Sequence, residues 1–163
     1  MTNFYSFKGT VTMISDFSVR QNSKGEGCYK LISVENELGS TVNFIVSPGT
    51  YFVDHAIVAI GDHITGYYDG DVPVPLIYPP QYRALVIVKD SLYQNVKVDY
   101  FNGQLVSNDG QLKLNISPYT QVLLTNGQPF SGNPANRDLI VIYGPITKGI
   151  PAQTTPYRIV VLC

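Results

Sequence analysis

Thr41-Val42-Asn43-Phe44-Ile45-Val46-Ser47-Pro48-Gly49-Thr50 decides the fold, because its pattern returns as Gln111-Leu112-Lys113-Leu114-Asn115-Ile116-Ser117-Pro118-Tyr119-Thr120. In the first stretch Val42, Phe44 and Val46 alternate with Asn43 and Ile45. In the second, Leu112, Leu114 and Ile116 alternate with Lys113 and Asn115. A period of two, built from β-branched and aromatic residues, is the pattern of a half-buried strand. Each stretch then stops at Ser-Pro-x-Thr. Proline removes a backbone donor and serine bonds its own backbone, so the strand turns there.

Other blocks repeat around this one. Upstream, Phe7-Lys8-Gly9 is answered by Phe101-Asn102-Gly103. Downstream, Pro80-Gln81-Tyr82-Arg83-Ala84-Leu85-Val86 is answered by Pro156-Tyr157-Arg158-Ile159-Val160-Val161, and the interval from Pro75 to Pro80 recurs from Pro151 to Pro156. Four blocks in one order predict two copies of a unit, 1–90 and 95–163, joined by Ser91 to Gln94. The first copy carries a long hairpin insertion with its tip at Gln21-Asn22-Ser23-Lys24-Gly25-Glu26-Gly27. The second is shorter and has a long loop from Asn126 to Asn136. Helical periodicity is nearly absent, and Asn-Gly and Asp-Gly pairs at 102–103, 109–110 and 126–127 are hairpin signals. The fold class is all-β, with at most a turn or two of helix between Thr50 and Ala59.

Each copy resembles a small five-stranded barrel of the OB type. The residues that carry the resemblance are the alternating strand, the Ser-Pro-x-Thr turn and Val58-Ala59-Ile60-Gly61-Asp62-His63-Ile64-Thr65-Gly66. In the second copy Arg137-Asp138 replaces Gly61-Asp62, so the match there is looser. The resemblance implies two OB-like barrels in tandem; the competing architecture is one β-sandwich fused from both copies. Such barrels carry many unrelated ligands, so the resemblance implies no particular activity.

Composition narrows the function. The chain has 163 residues and a net charge of −1, with 14% charged residues against the roughly 25% usual for soluble domains. That argues against a strongly basic nucleic-acid binder. Apolar runs such as Ala56 to Ile60 are far shorter than a membrane helix needs, and no secretory leader is visible, so the expected location is cytoplasmic and no membrane partner is expected. Cys28 and Cys163 are read as reduced thiols.

Catalytic signals are weak. His55 and His63 each follow an aspartate, Asp54 and Asp62, but no third ligand stands at a metal spacing. No serine lies in a Gly-x-Ser-x-Gly elbow, and Gly25-Glu26-Gly27 lacks the residues of a phosphate loop. The chain is therefore not expected to be an enzyme, and no catalytic residue, metal or cofactor is assigned. Asp69-Gly70-Asp71 is read as a surface turn rather than a calcium site, since no further acidic residue follows before Asp90.

Binding signals are stronger. Twelve tyrosines and seven phenylalanines stand against no tryptophan. Tyrosine offers a flat apolar body with a polar tip, suited to contacts. Features present in both copies are assigned to the shared fold, including Tyr82-Arg83 with Tyr157-Arg158 and Tyr68 with Tyr143. Features of one copy only are the functional candidates: the loop from Asn126 to Asn136, Arg20 and Lys24 at the hairpin tip, Tyr67, Asp69 and Asp71 at the end of a strand, and Leu76, Ile77 and Tyr78. The last three lie in Val72-Pro73-Val74-Pro75-Leu76-Ile77-Tyr78-Pro79-Pro80, too apolar for an ordinary solvated loop. The expected role is a non-catalytic binding or assembly module that self-associates or meets another protein. The alternative is an OB-type site for an oligosaccharide or single-stranded nucleic acid on the first copy's sheet.

Overall fold

The computed structural model describes residues 1–18 and 27–163. It divides the chain into two compact units: Tyr5–Asp90, and Ser91–Cys163 together with Met1–Phe4. The all-β reading holds. The described residues form thirteen strands, and their only helix is a single 3-10 turn at Val53–His55.

The first unit contains β1 (Phe4–Asp16), β2 (Lys30–Glu35), β3 (Thr41–Val46), β4 (Tyr51–Phe52), β5 (His63–Asp69), β6 (Gln81–Arg83) and β7 (Val86–Lys89). They form one sheet in the order β4-β7-β5-β1-β2-β3-β6. β1, β2 and β3 follow one another as antiparallel neighbours, with a bulge in β1 between Val11 and Met13. β3 then pairs parallel with β6, β4 parallel with β7, and β5 antiparallel with β7. The alternation read from sequence puts Val42, Phe44 and Val46 inside, in a core with Val11, Ile32, Val34, Ile64, Ala84 and Ile87. Gly66 on β5 has no room for a side chain: a Cβ there would lie 2.4 Å from the Phe44 ring.

The second unit contains β8 (Asn95–Phe101), β9 (Leu112–Leu114), β10 (Gln121–Leu124), β11 (Arg137–Tyr143), β12 (Ala152–Thr154) and β13 (Arg158–Leu162). Its sheets run β10-β13-β11-β8 and β12-β9. The pairing types recur in chain order. β9 pairs parallel with β12, β10 parallel with β13, and β11 antiparallel with both β13 and β8. Phe101, Leu112, Leu114, Leu139, Val141, Ile159 and Val161 form its core.

The strand count departs from five per copy: seven strands stand in the first unit, the two-residue β4 among them, and six in the second. In the first unit one run is split into β6 and β7, because the chain changes partner there: Ala84 N–H donates to Ile45 on β3 (3.0 Å), and Leu85 N–H donates to Tyr67 on β5 (2.8 Å). In the second unit no strand stands between β8 and β9. Only the isolated bridges Phe101–Ser107 and Val106–Lys113 occupy that place, and the sheet divides.

The two Ser-Pro turns carry the same hydrogen bonds. Thr50 Oγ1 accepts the Ser47 N–H (3.0 Å) and donates to the Ala84 carbonyl (2.9 Å). Thr120 Oγ1 accepts the Ser117 N–H (3.2 Å) and donates to the Pro156 carbonyl (2.7 Å). Gly49 and Tyr119 N–H groups donate to the Ser47 and Ser117 hydroxyls. These bonds correct one equation made from sequence. Since Ala84 corresponds to Pro156, Tyr157 corresponds to Leu85 and not to Tyr82. Tyr82-Arg83 lies on β6 beside β3, whereas Arg158 begins β13 beside β10 and β11. The Phe-x-Gly equation shifts likewise: Phe7 lies within β1, but Phe101 is the last residue of β8, opposite Arg137.

Replacing Thr50 by valine removes both bonds while keeping the shape. At a net of about 0.5–1.5 kcal/mol per hydrogen bond, Thr50→Val should cost about 1–3 kcal/mol. Urea unfolding of the variant checks this, and Thr120→Val should cost a comparable amount.

Candidate functional site

The connection from β5 to β6 holds most of the residues singled out from sequence. Tyr67 is half-buried on β5, and Asp69 ends that strand. Asp69 Oδ1 accepts the Asp71 N–H (3.0 Å), so the two aspartates shape a turn, and Val72 N–H closes it on the Asp69 carbonyl. Beyond the turn the chain is exposed from Asp71 to Tyr78. Leu76 is fully exposed, Tyr78 is 81% and Ile77 49% exposed, and Val72 and Val74 are exposed beside them. Asp69, Asp71, Leu76, Ile77 and Tyr78 thus share one connection. Tyr67 stays in the sheet, and Arg20 and Lys24 lie outside the described residues.

An aromatic cluster stands where this connection leaves β5. The Tyr68 and Tyr82 rings stack at 3.9 Å with 7° between planes, and Tyr5 meets Tyr68 edge-on at 6.0 Å. Phe44 lies on the core side of Tyr68. Gly70 permits the arrangement, because a Cβ there would sit 2.5 Å from the Tyr5 ring. Tyr5 escaped the sequence reading, and Tyr82 was assigned there to the shared fold rather than to a site. In a strand adjacent side chains face opposite ways, so Tyr67 and Tyr68 had to diverge, but which one meets Tyr82 depends on register. Burial, then the neighbouring Tyr82 and Tyr5, push the Tyr68 hydroxyl up to about 12.

The second unit has its own polar cluster. Asp99 on β8 is buried and accepts the N–H groups of Tyr100 (2.8 Å) and Asp109 (3.3 Å). Asp109 accepts Lys97, the Ser107 hydroxyl and the Gln111 N–H. Burial raises the Asp99 carboxyl. Burial also acts upward on Asp109, but Lys97, Ser107 and Gln111 outweigh it and hold that carboxyl below its usual range. Every partner here belongs to β8 or to the 100–111 segment, so the cluster ties down the connection from β8 to β9.

The histidines do not converge. His63 Nδ1 meets Thr10 Oγ1 at 3.1 Å, whereas His55 lies edge-on to the Tyr51 ring at 6.2 Å. Among the described residues no three metal-ligating side chains gather. No helix among them is long and apolar enough to cross a membrane. Cys28 and Cys163 are exposed and not disulfide-bonded.

The β11–β12 connection also escaped the sequence reading. There Ile150 is 82% and Ile146 55% exposed. The signal was present as Pro145-Ile146 and Ile150-Pro151, again apolar residues beside prolines.

No known protein family, curated protein or solved structure gives a match to this chain.

The Tyr68 shift yields a pH dependence with a definite sign. A hydroxyl whose folded value lies above the unfolded value of 10.0 holds its proton longer in the folded state. Its contribution is complete below pH 10 and is lost as pH climbs from 10 toward 12. Urea unfolding across that window should show stability falling with pH, and Tyr68→Phe should flatten the fall.

Proposed function

We propose that this chain is a non-catalytic assembly module that associates with further copies of itself through the β5–β6 connection. The observation that carries this is the exposure of Leu76, Ile77 and Tyr78 within Val72 to Gln81, a run of ten residues without one charged side chain. Contiguous exposed apolar surface of this kind marks interaction sites. Pro73, Pro75, Pro79 and Pro80 restrict the backbone, so less freedom is lost on docking. Each apolar side chain buried contributes roughly 1.5–3 kcal/mol. Association costs about 4–15 kcal/mol, so several must be buried together.

In this reading each unit is an OB-like barrel, the two being copies of one ancestor. What supports it in the first unit is the continuity of β6 with β7. That run pairs with β3 through β6 and with β5 through β7, and so joins the two ends of the order β5-β1-β2-β3. In the second unit β12 and β13 stand in the same places, and the bridges at Ser107 and Val106 occupy that of β2. Cross-over of one run between two partners is how a small sheet closes and loses its edges.

Light scattering on the purified chain tests the assembly. The wild type should have a mass above 18.0 kDa, and Leu76→Asp with Tyr78→Asp should lower it while the β-sheet circular dichroism stays unchanged. A wild type that remains monomeric at high concentration overturns the reading.

A second reading, binding of an oligosaccharide or single-stranded nucleic acid by the first unit, is favoured by one observation. Tyr5 is half-exposed at the edge of the Tyr68–Tyr82 stack, where a base or sugar ring has an aromatic neighbour. With no tryptophan present, tyrosine fluorescence reports directly. Quenching by an oligonucleotide or a chitooligosaccharide, abolished in Tyr5→Ala, is the result this reading expects.

A further inference from the structure

The β11–β12 connection of the second unit is the counterpart of the β5–β6 connection of the first. Each leaves a strand that pairs antiparallel with the last strand of its unit, β7 or β13. Each leads into a strand that pairs parallel with β3 or β9. Both connections expose apolar side chains: Leu76, Ile77 and Tyr78 in one, Ile146 and Ile150 in the other.

Their charges are opposite. Asp69 and Asp71 stand at the start of the first connection. The second has no acidic residue between Tyr143 and Pro151, and Lys148 lies between its two isoleucines. The same division runs through the whole units. Residues 5–90 contain six basic and nine acidic side chains, net −3; residues 91–163 contain five basic and three acidic, net +2. Two first connections placed together would set aspartates against aspartates. A first connection placed against a second brings Asp69 and Asp71 toward Lys148. Complementary charge guides the encounter and suppresses the like-charged arrangement, while the apolar side chains supply the affinity.

We propose that the chain assembles heterologously, the 69–78 connection of one copy docking on the 144–151 connection of another. The proposal rests on the self-association reading and adds which surface receives the apolar loop. Heterologous contacts close into rings or run on as filaments, according to the rotation between neighbours.

A complementation experiment tests it with the full chain. One variant carries Leu76→Asp with Tyr78→Asp; the other carries Ile146→Asp with Ile150→Asp. Each alone should be a monomer of 18.0 kDa by light scattering. Mixed in equal amounts, they should form a one-to-one complex of twice that mass and nothing larger, because each supplies the connection the other lacks. Lys148→Glu should weaken assembly at least threefold at low ionic strength, and Asp69→Lys with Asp71→Lys in the partner copy should restore it. If the Ile146/Ile150 variant keeps the wild-type mass, like pairs with like, and the proposal falls while the self-association reading stands. Two monomeric variants that fail to combine also overturn it. A monomeric wild type removes both. Should either aspartate pair lose the β-sheet circular dichroism, serine at the same two positions replaces it, with the same outcomes expected.

Discussion

One threonine hydroxyl in each unit, Thr50 and Thr120, fixes what the rest of the sheet depends on. A parallel pair of strands cannot be joined by a tight turn, so no local connection sets its register. β4 with β7 and β10 with β13 are such pairs. The threonine solves this by acting in both directions. It accepts from the serine that opens its own turn and donates to the carbonyl just before the distant strand, Ala84 in one unit and Pro156 in the other. Tyr51 N–H to Leu85 O and Gln121 N–H to Tyr157 O then follow at 3.0 and 3.1 Å. With that register set, β7 and β13 meet β5 and β11, and the connections from β5 to β6 and from β11 to β12 are left outside the sheets.

That leftover chain is where the functional reading lies. The core of the first unit is filled without it, since Phe44 fills the space beside Gly66 and Tyr68 is covered by Tyr82. The side chains of 72–78 therefore have no interior place to go, and stay exposed although apolar. Prolines hold the segment back from pairing with a sheet edge, which protects it from indiscriminate aggregation. In the proposed assembly specificity comes from the opposite net charges of the two units.

The fold was legible where the physics is local. Alternation over Val42–Val46 named the inward residues, because strand side chains change face at every step; over Leu112–Ile116 it named Leu112 and Leu114 but not Ile116, which lies beyond the end of β9 and is exposed. The Ser-Pro-x-Thr turns were legible because serine, proline and threonine determine backbone geometry within four residues. Tyr82-Arg83 and Tyr157-Arg158 show the limit. They look alike, yet one lies on β6 and the other begins at β13. A dipeptide holds no record of which distant strand it will meet. The hairpin insertion was visible in sequence, and β2 is the strand it adds between β1 and β3; that the corresponding place in the second unit holds only two bridges was not.

By itself the sequence determined the all-β class, the alternating core residues, the two turns and the apolar stretch from Val72 to Pro80, since each depends on neighbours along the chain. Tertiary structure alone decided that Tyr5, Tyr68 and Tyr82 share one cluster, that Asp99 and Asp109 are tied to each other, and that Ile146 and Ile150 stand exposed as Leu76 and Tyr78 do. Those facts depend on strand register, which is set by hydrogen bonds between residues far apart in the chain, and local periodicity cannot encode them.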